Sequence, residues 1–419
     1  MLADPLPTQA WGGALTARYS DRPLQTNLDD ELRAVDGEVR AVPFVDLRVP
    51  QLRDEIVAAW REIFDDAAFI GGPHLASFEQ HLARYTGTDH AVGLGNGTDA
   101  ITLALLAMGI ARGDEVITAA NTFFATVEAI VHAGGTPVLV DVDPVTATLD
   151  PELVERAITD RTRFVIPVHL YGQPASMDQI NALASHHGLK VLEDAAQALG
   201  ASYRSRSVGS LGQAAAISFY PSKNLGACGD AGAVTTDDPD IAANIMALRD
   251  HGQLEKSGHQ MVGYNSRLDA LQAAALDVKL RHLDDWNASR RLVAADYGRH
   301  LAQLDIELPG ELADRTHVYH LYVVIHEERD KLREALAEDR IATGIHYPRP
   351  IHLTEPFGHL GNGPGTFPES ERRSRTGLSL PMYPDMALAD LDAVCRSVES
   401  FMDMDEGKEG ELAFPRRTA

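Results

Sequence analysis

The chain has 419 residues, 44% of them hydrophobic and 23% charged, a composition of ordinary globular kind. A formal charge of -24 argues against a protein that wraps nucleic acid, and no apolar run approaches the roughly 18 residues needed to cross a bilayer. The first residues show no basic and then apolar signal pattern, and Cys228 and Cys395 are the only cysteines, so a disulfide framework or a thiolate metal cage is not expected and a cytoplasmic setting is.

Residues 1–42 carry no sustained period and read as an extension or an arm over a partner. Patterned sequence begins at Pro43. Leu52, Ile56, Trp60 and Ile63 recur at helical spacing up to the Gly71-Gly72-Pro73 break, and Leu75, Phe78, Leu82 and Tyr85 mark a second amphipathic helix. Short apolar runs then alternate with helical stretches, predicting strands at 91–94, 115–118, 137–140, 164–168, 190–193, 215–219 and 232–235. Seven such strands imply an α/β fold, a three-layer domain with a mainly parallel sheet. From Leu268 to about Leu304 the chain reads as helical, connecting to a smaller α+β C-terminal domain. That domain is expected to hold a strand at 319–325, a helix at 329–339 and a closing helix at 388–402, before a charged tail. The boundaries drawn are 1–42, 43–285, 286–403 and 404–419.

Three segments carry chemistry. In Ser218-Phe219-Tyr220-Pro221-Ser222-Lys223-Asn224-Leu225-Gly226 a lysine follows an apolar strand among small residues. A buried charged amine is costly, and an imine with an aldehyde cofactor removes the charge; taken alone, Lys223 is equally a loop lysine in water. In Gly93-Leu94-Gly95-Asn96-Gly97-Thr98-Asp99-Ala100 a glycine-rich turn leads into the apolar helix 101–108. This is either an anion site or a tight turn capped by Thr98 or Asp99. In Val191-Leu192-Glu193-Asp194-Ala195-Ala196-Gln197 a carboxylate ends an apolar strand, where open sheets bind ligands. Asp194 could hold a protonated pyridine nitrogen, or cap a helix.

In this order the segments, with Tyr264-Asn265-Ser266-Arg267, resemble the DegT/StrS family of fold-type-I sugar aminotransferases, which depend on pyridoxal 5'-phosphate (PLP) and pass through pyridoxamine phosphate (PMP). The likeness spans roughly 43–402. It implies that Lys223 bonds the cofactor and shuttles the proton, that Asp194 pairs with the pyridinium, and that Gln197 contacts the ring hydroxyl. It further implies a phosphate site of Gly97, Thr98 and Ser218, a ring stack on Phe123, and a contact of Asn265 with the phosphate of a partner subunit in a homodimer. His346 and Tyr347 resemble the substrate-facing segment. For Phe123 core packing remains an alternative, and for His346 and Tyr347 a surface turn.

Related sugar dehydratases carry histidine in place of this lysine, so Lys223 favours transamination, with L-glutamate as the donor implied. The Tyr-Pro-Ser-Lys-Asn-Leu-Gly-Ala form is most similar to the branch that aminates C3 of dTDP-3-keto-6-deoxyhexoses. Amination at C4, amination of a ketocyclitol, and a PLP-binding regulator without turnover are the alternatives. Cys228 and Ala231 stand where many relatives have an aromatic residue and glycine, neither of which the chemistry needs.

Overall fold

The computed structural model describes residues 41–255 and 257–411, with side chains described to residue 403. Most of the extension expected over 1–42, and the side chains of the tail expected from 404, lie outside these. All seven expected strands form, within one or two residues of their expected ends: β1 His90–Leu94, β2 Glu115–Ala119, β3 Thr136–Val140, β4 Thr162–Ile166, β5 Lys190–Asp194, β6 Ala214–Ser218 and β7 Gly232–Thr236. They build one sheet in the order β1-β7-β6-β5-β4-β2-β3. Every neighbouring pair is parallel except those of β7, which runs antiparallel to both β1 and β6. β2 and β7 are buried at every position, as expected of strands covered on both faces.

Helices cover the two faces. α1 Arg53–Asp66 and α2 Gly72–Thr86 follow the predicted apolar spacing, burying Ile56 and Ile63, then Leu75, Phe78 and Leu82. α3 Gly97–Ala107 is buried at every position from Ala100 to Leu105, because the sheet and neighbouring helices enclose it on all sides. α4 Phe124–His132, α5 Pro151–Ala157, α6 Met177–His187 and α7 Pro239–Arg249 complete the layers. The helical stretch expected over 268–304 is two helices, α8 Ala270–Leu280 and α9 Leu283–Leu301, with Asp284 and Asp285 favouring a fresh N-terminus in the first turn of the second.

The C-terminal part pairs β8 Tyr322–Ile325 with β9 Gly377–Leu380, antiparallel, under α10 Arg329–Glu338 and α12 Leu388–Glu411, with α11 Pro368–Thr376 leading into β9. The strand expected from residue 319 starts three residues later. Tyr319 has φ of 43° and takes its N–H to His317 Nδ1, so the backbone turns before it can join a ladder. The closing helix runs on past the expected residue 402 through 411. Val293 and Tyr297 of α9, Leu332 of α10, and Val394 and Val398 of α12 form a second buried cluster. Val42 packs in it, bridged to Ile341, so the last residue of the expected extension belongs to this core.

Candidate active site

The C-terminal ends of β1, β2, β4, β5 and β6 share one edge of the sheet, and a cavity of about 330 Å³ opens there. Two close approaches shape one wall. A Cβ on Gly97 would lie 2.7 Å from Cβ of Ser218, and one on Gly232 would lie 2.4 Å from the carbonyl carbon of Asn96. Only glycine allows the start of α3 to press against the ends of β6 and β7. The helix is capped by Asn96, whose side chain accepts from the Asp99 N–H at 2.8 Å, rather than by Thr98 or Asp99. The N–H groups of Gly97 and Thr98 have no carbonyl one turn back within the helix, and both residues line the cavity with Ser218. Two amides and a hydroxyl at a helix N-terminus suit a phosphate.

Asp194 closes β5 and is 5% exposed. Thr126 Oγ1 donates to its Oδ2 at 2.7 Å, and the Ala196 N–H donates to Oδ1 at 3.2 Å. Burial raises its pKa, against the pull of those two donors and of the charge on Lys223. The helix-cap alternative does not hold, since no helix begins at Asp194. Lys223 lies in the turn after β6 with its N–H on the Tyr220 carbonyl. Burial pushes its amine down to about 8, with Asp194 opposing. Half-buried and lining the cavity, this lysine does not fit the loop-in-water alternative.

Gln197 is fixed on both sides: its Oε1 accepts from the Tyr171 N–H at 2.7 Å and its Nε2 donates to the Tyr347 hydroxyl at 2.9 Å. Phe123 is 52% exposed, too much for a core residue, and its ring sits 5.4 Å from that of Tyr347 at the cavity wall. His346 contacts Ser379 Oγ through Nδ1 at 2.8 Å, and burial, with the Lys223 charge, brings its pKa down to about 4. Both His346 and Tyr347 line the cavity, so this segment is more than a surface turn. Nine of the ten sequence-predicted residues thus meet in one place. The tenth, Asn265, is exposed, bridges to Asp250, and does not line this cavity.

Sequence reasoning missed Thr126, His320 and a buried pair behind Asp194. His169 Nδ1 accepts from the Ala175 N–H, so its Nε2 carries the hydrogen toward Glu193 Oε2 at 3.0 Å. Glu193 also accepts from the N–H groups of Gly209, Leu211 and Gly212. Thr126 stands three residues after Phe123 and one helical turn from Thr122, but its partner 68 residues away left no local sign. Among the described residues no group of three or more His, Cys, Asp or Glu is placed to hold a metal ion, and no helix is long and apolar enough to cross a membrane. The arrangement fits a phosphorylated, aromatic aldehyde cofactor: an amine below its usual pKa, a buried carboxylate fixed by two donors, and an anion cradle.

A family model described as the DegT/DnrJ/EryC1/StrS aminotransferase family matches residues 50–399. The "dTDP-3-amino-3,4,6-trideoxy-alpha-D-glucose transaminase" of Streptomyces venezuelae is 46% identical over 85% of this chain and 96% of its own length. The "Pleiotropic regulatory protein" of Geobacillus stearothermophilus is also 46% identical, over 86% of this chain and 98% of its own. The solved structure of S. venezuelae DesV in complex with a ketimine intermediate superposes with a TM-score of 0.86 at 45% identity, covering 87% of this chain and 99% of that one. Neighbours of the same fold have been solved in PMP and PLP forms. The chain therefore belongs to the DegT/DnrJ/EryC1/StrS aminotransferase family and is a PLP-dependent aminotransferase.

Proposed function

We propose that the enzyme moves an amino group from L-glutamate, or glutamine, to C3 of a dTDP-3-keto-6-deoxyhexose. One observation carries the mechanism: Lys223 and Asp194 face one cavity beside the Gly97–Ser218 cradle. The sugar and the position rest on the Tyr220–Ala227 segment and on the printed names of relatives, which include transaminases of dTDP-3-amino sugars.

In this reading the amides of Gly97 and Thr98 and the Ser218 hydroxyl bind the cofactor phosphate. Asp194 holds a proton on the ring nitrogen; opposite charges about 4 Å apart attract by about 4 kcal/mol at an effective dielectric near 20. Bound PLP supplies the electron sink that makes the donor's α-proton removable. Gln197 holds the ring oxygen and Phe123 covers the ring. Lys223, pushed down to about 8, is neutral often enough near neutral pH to take that proton at Nζ and later return it to the sugar carbon. His346 and Tyr347 face the substrate. One amine serving both halves of the cycle gives ping-pong kinetics.

Exposed Asn265 supports a homodimer in which it reaches the partner's cofactor. Two unpaired cysteines, one exposed, support a reducing cytoplasm. Separate buried clusters support a domain division near residue 285. The regulatory and sensory names that two relatives carry are outweighed by an intact set of reacting residues. The test is a coupled assay with dTDP-3-keto- and dTDP-4-keto-6-deoxyglucose and a ketocyclitol, read by product mass. Product from the 3-keto sugar supports the proposal; product from either other acceptor alone overturns it.

A further inference from the structure

We infer that His320 is a positioning residue for Lys223, its bare Nε2 standing in the shared cavity as the acceptor that the free lysine amine turns to. The inference rests on the reading of Lys223 given above and adds a partner to it.

The tautomer of His320 follows from a chain of fixed amides. Asn287 Nδ2 donates to the Leu199 carbonyl at 3.1 Å, so its Oδ1 is the atom that accepts from Asn224 Nδ2 at 2.7 Å. Asn224 Nδ2 also donates to the Val318 carbonyl at 3.0 Å. Carbonyl oxygens only accept, so neither amide can be turned round. Asn224 therefore presents Oδ1 to His320 Nδ1, 3.2 Å away, and the imidazole must donate there. A neutral ring has one N–H, which leaves Nε2 a bare acceptor. The ring is neutral because burial opposes its protonation, as do the charges on Lys223 and Arg290.

Two unmatched groups then line one cavity without being bonded to each other. Nε2 of His320 has no hydrogen bond among the described residues and is not among the sealed, unpartnered atoms, so it opens to the cavity that His320 lines. Nζ of Lys223, lining the same cavity, likewise makes no hydrogen bond among the described residues. Asn224 directly follows Lys223, so the Asn287–Asn224–His320 chain ties the imidazole to the lysine's own backbone. The other ionisable groups around the amine are Asp194, which attracts its charge, and His346, which burial and that same charge keep neutral; the Tyr347 phenol stays neutral because burial raises its pKa.

The test uses the full-length chain freed of cofactor. Acetic anhydride labelling of Lys223 is followed against pH by peptide mass. A hydrogen bond to the charged amine favours it, so His320→Leu lowers the labelling midpoint by about one pH unit and raises labelling at pH 6 about tenfold. His320→Gln, whose Oε1 supplies an acceptor, stays within about twofold of wild type. Equal shifts in the two variants, or none in His320→Leu, overturn the inference. One measurement needs no variant: in ¹⁵N-histidine NMR of the wild type, a hydrogen on Nδ1 with Nε2 bare supports it, and a hydrogen on Nε2 overturns it. Borohydride reduction of the wild type with PLP separates the two levels. A label elsewhere than Lys223 sinks the proposed function, whereas an unmoved His320→Leu profile with the label on Lys223 sinks only the role of His320.

Discussion

Thr126 Oγ1 donates to Asp194 Oδ2 at 2.7 Å, so in its bond with Thr122, at 2.9 Å, Thr122 supplies the hydrogen. A hydroxyl has one hydrogen, so the direction of the relay is set from the carboxylate backward. The carboxylate is thereby aimed, as well as buried. Thr126→Val removes the aim while keeping the shape. PLP affinity should fall about tenfold, the worth of one charge-assisted bond of about 1.5 kcal/mol, while Thr126→Ser keeps most of it. Absorbance titration with cofactor measures both, and an unchanged affinity in the valine variant would show that Asp194 needs no such support.

Gly97 meets Ser218 so closely that a methyl group has nowhere to go. Gly97→Ala should destabilise the chain by about 1–3 kcal/mol, the usual cost of overpacking, and weaken PLP binding with it. Ser218→Gly removes the obstructing Cβ, so the double variant should recover stability in urea melts though not the hydroxyl contact to phosphate. A double variant as unstable as the single one contradicts the steric account.

Lys223 also has a thermodynamic signature. Its folded pKa lies near 8 against 10.5 for the free side chain, so between those pH values the unfolded chain holds a proton that the folded one lacks. The contribution of Lys223 to the stability of the cofactor-free wild type therefore rises with pH across that window. Lys223→Met should be more stable at pH 7, by about 2 kcal/mol after allowing for partial exposure, and the advantage should shrink as pH approaches 10. Denaturation curves at pH 7 and pH 10 decide it, because a constant difference would place the lysine in water.

Glu193 is acidic, buried and next to Asp194 in sequence, yet it faces away from the cavity and binds three backbone amides and His169. Glu193→Gln leaves at least one of these donors facing an amide N–H. We expect a loss of about 2–4 kcal/mol in stability and faster hydrogen exchange at 209–212, with PLP bound in proportion to the folded fraction. A stable variant that cannot bind PLP would show that Glu193, too, serves the cofactor.

Much of this was readable in advance because the determinants are local. Short runs such as Val116–Ile117 and Val191–Leu192 alternate with helices, and a strand buried on both faces looks alike wherever it occurs. Lys223, Asp194 and the Gly97 turn are each abnormal in their own neighbourhood. What escaped notice depends on distant partners. His320 sits in an apolar run beside Leu321 and Tyr322, with nothing to mark it except Asn224, 96 residues earlier. β9 is four residues long, Gly377-Leu378-Ser379-Leu380, and forms by pairing with β8, with one further bridge from Ser379 to Gly344. The cap fell on Asn96, not Thr98 or Asp99, because β7 pins the turn just before Gly97.

The placement of β1 beside β7 bears on how the enzyme comes into being on the ribosome. The cradle needs Gly97 and Ser218 together, and β1 finds its pairing partner only at residues 232–236. Contacts so far apart in the chain close late. A nascent chain carrying only the first two hundred residues already has the helix start and Asp194, but neither the lysine nor the opposing wall. Newly made protein thus lacks both this lysine and the closed cradle until somewhat more than half of it, through residue 236 of 419, has been synthesised.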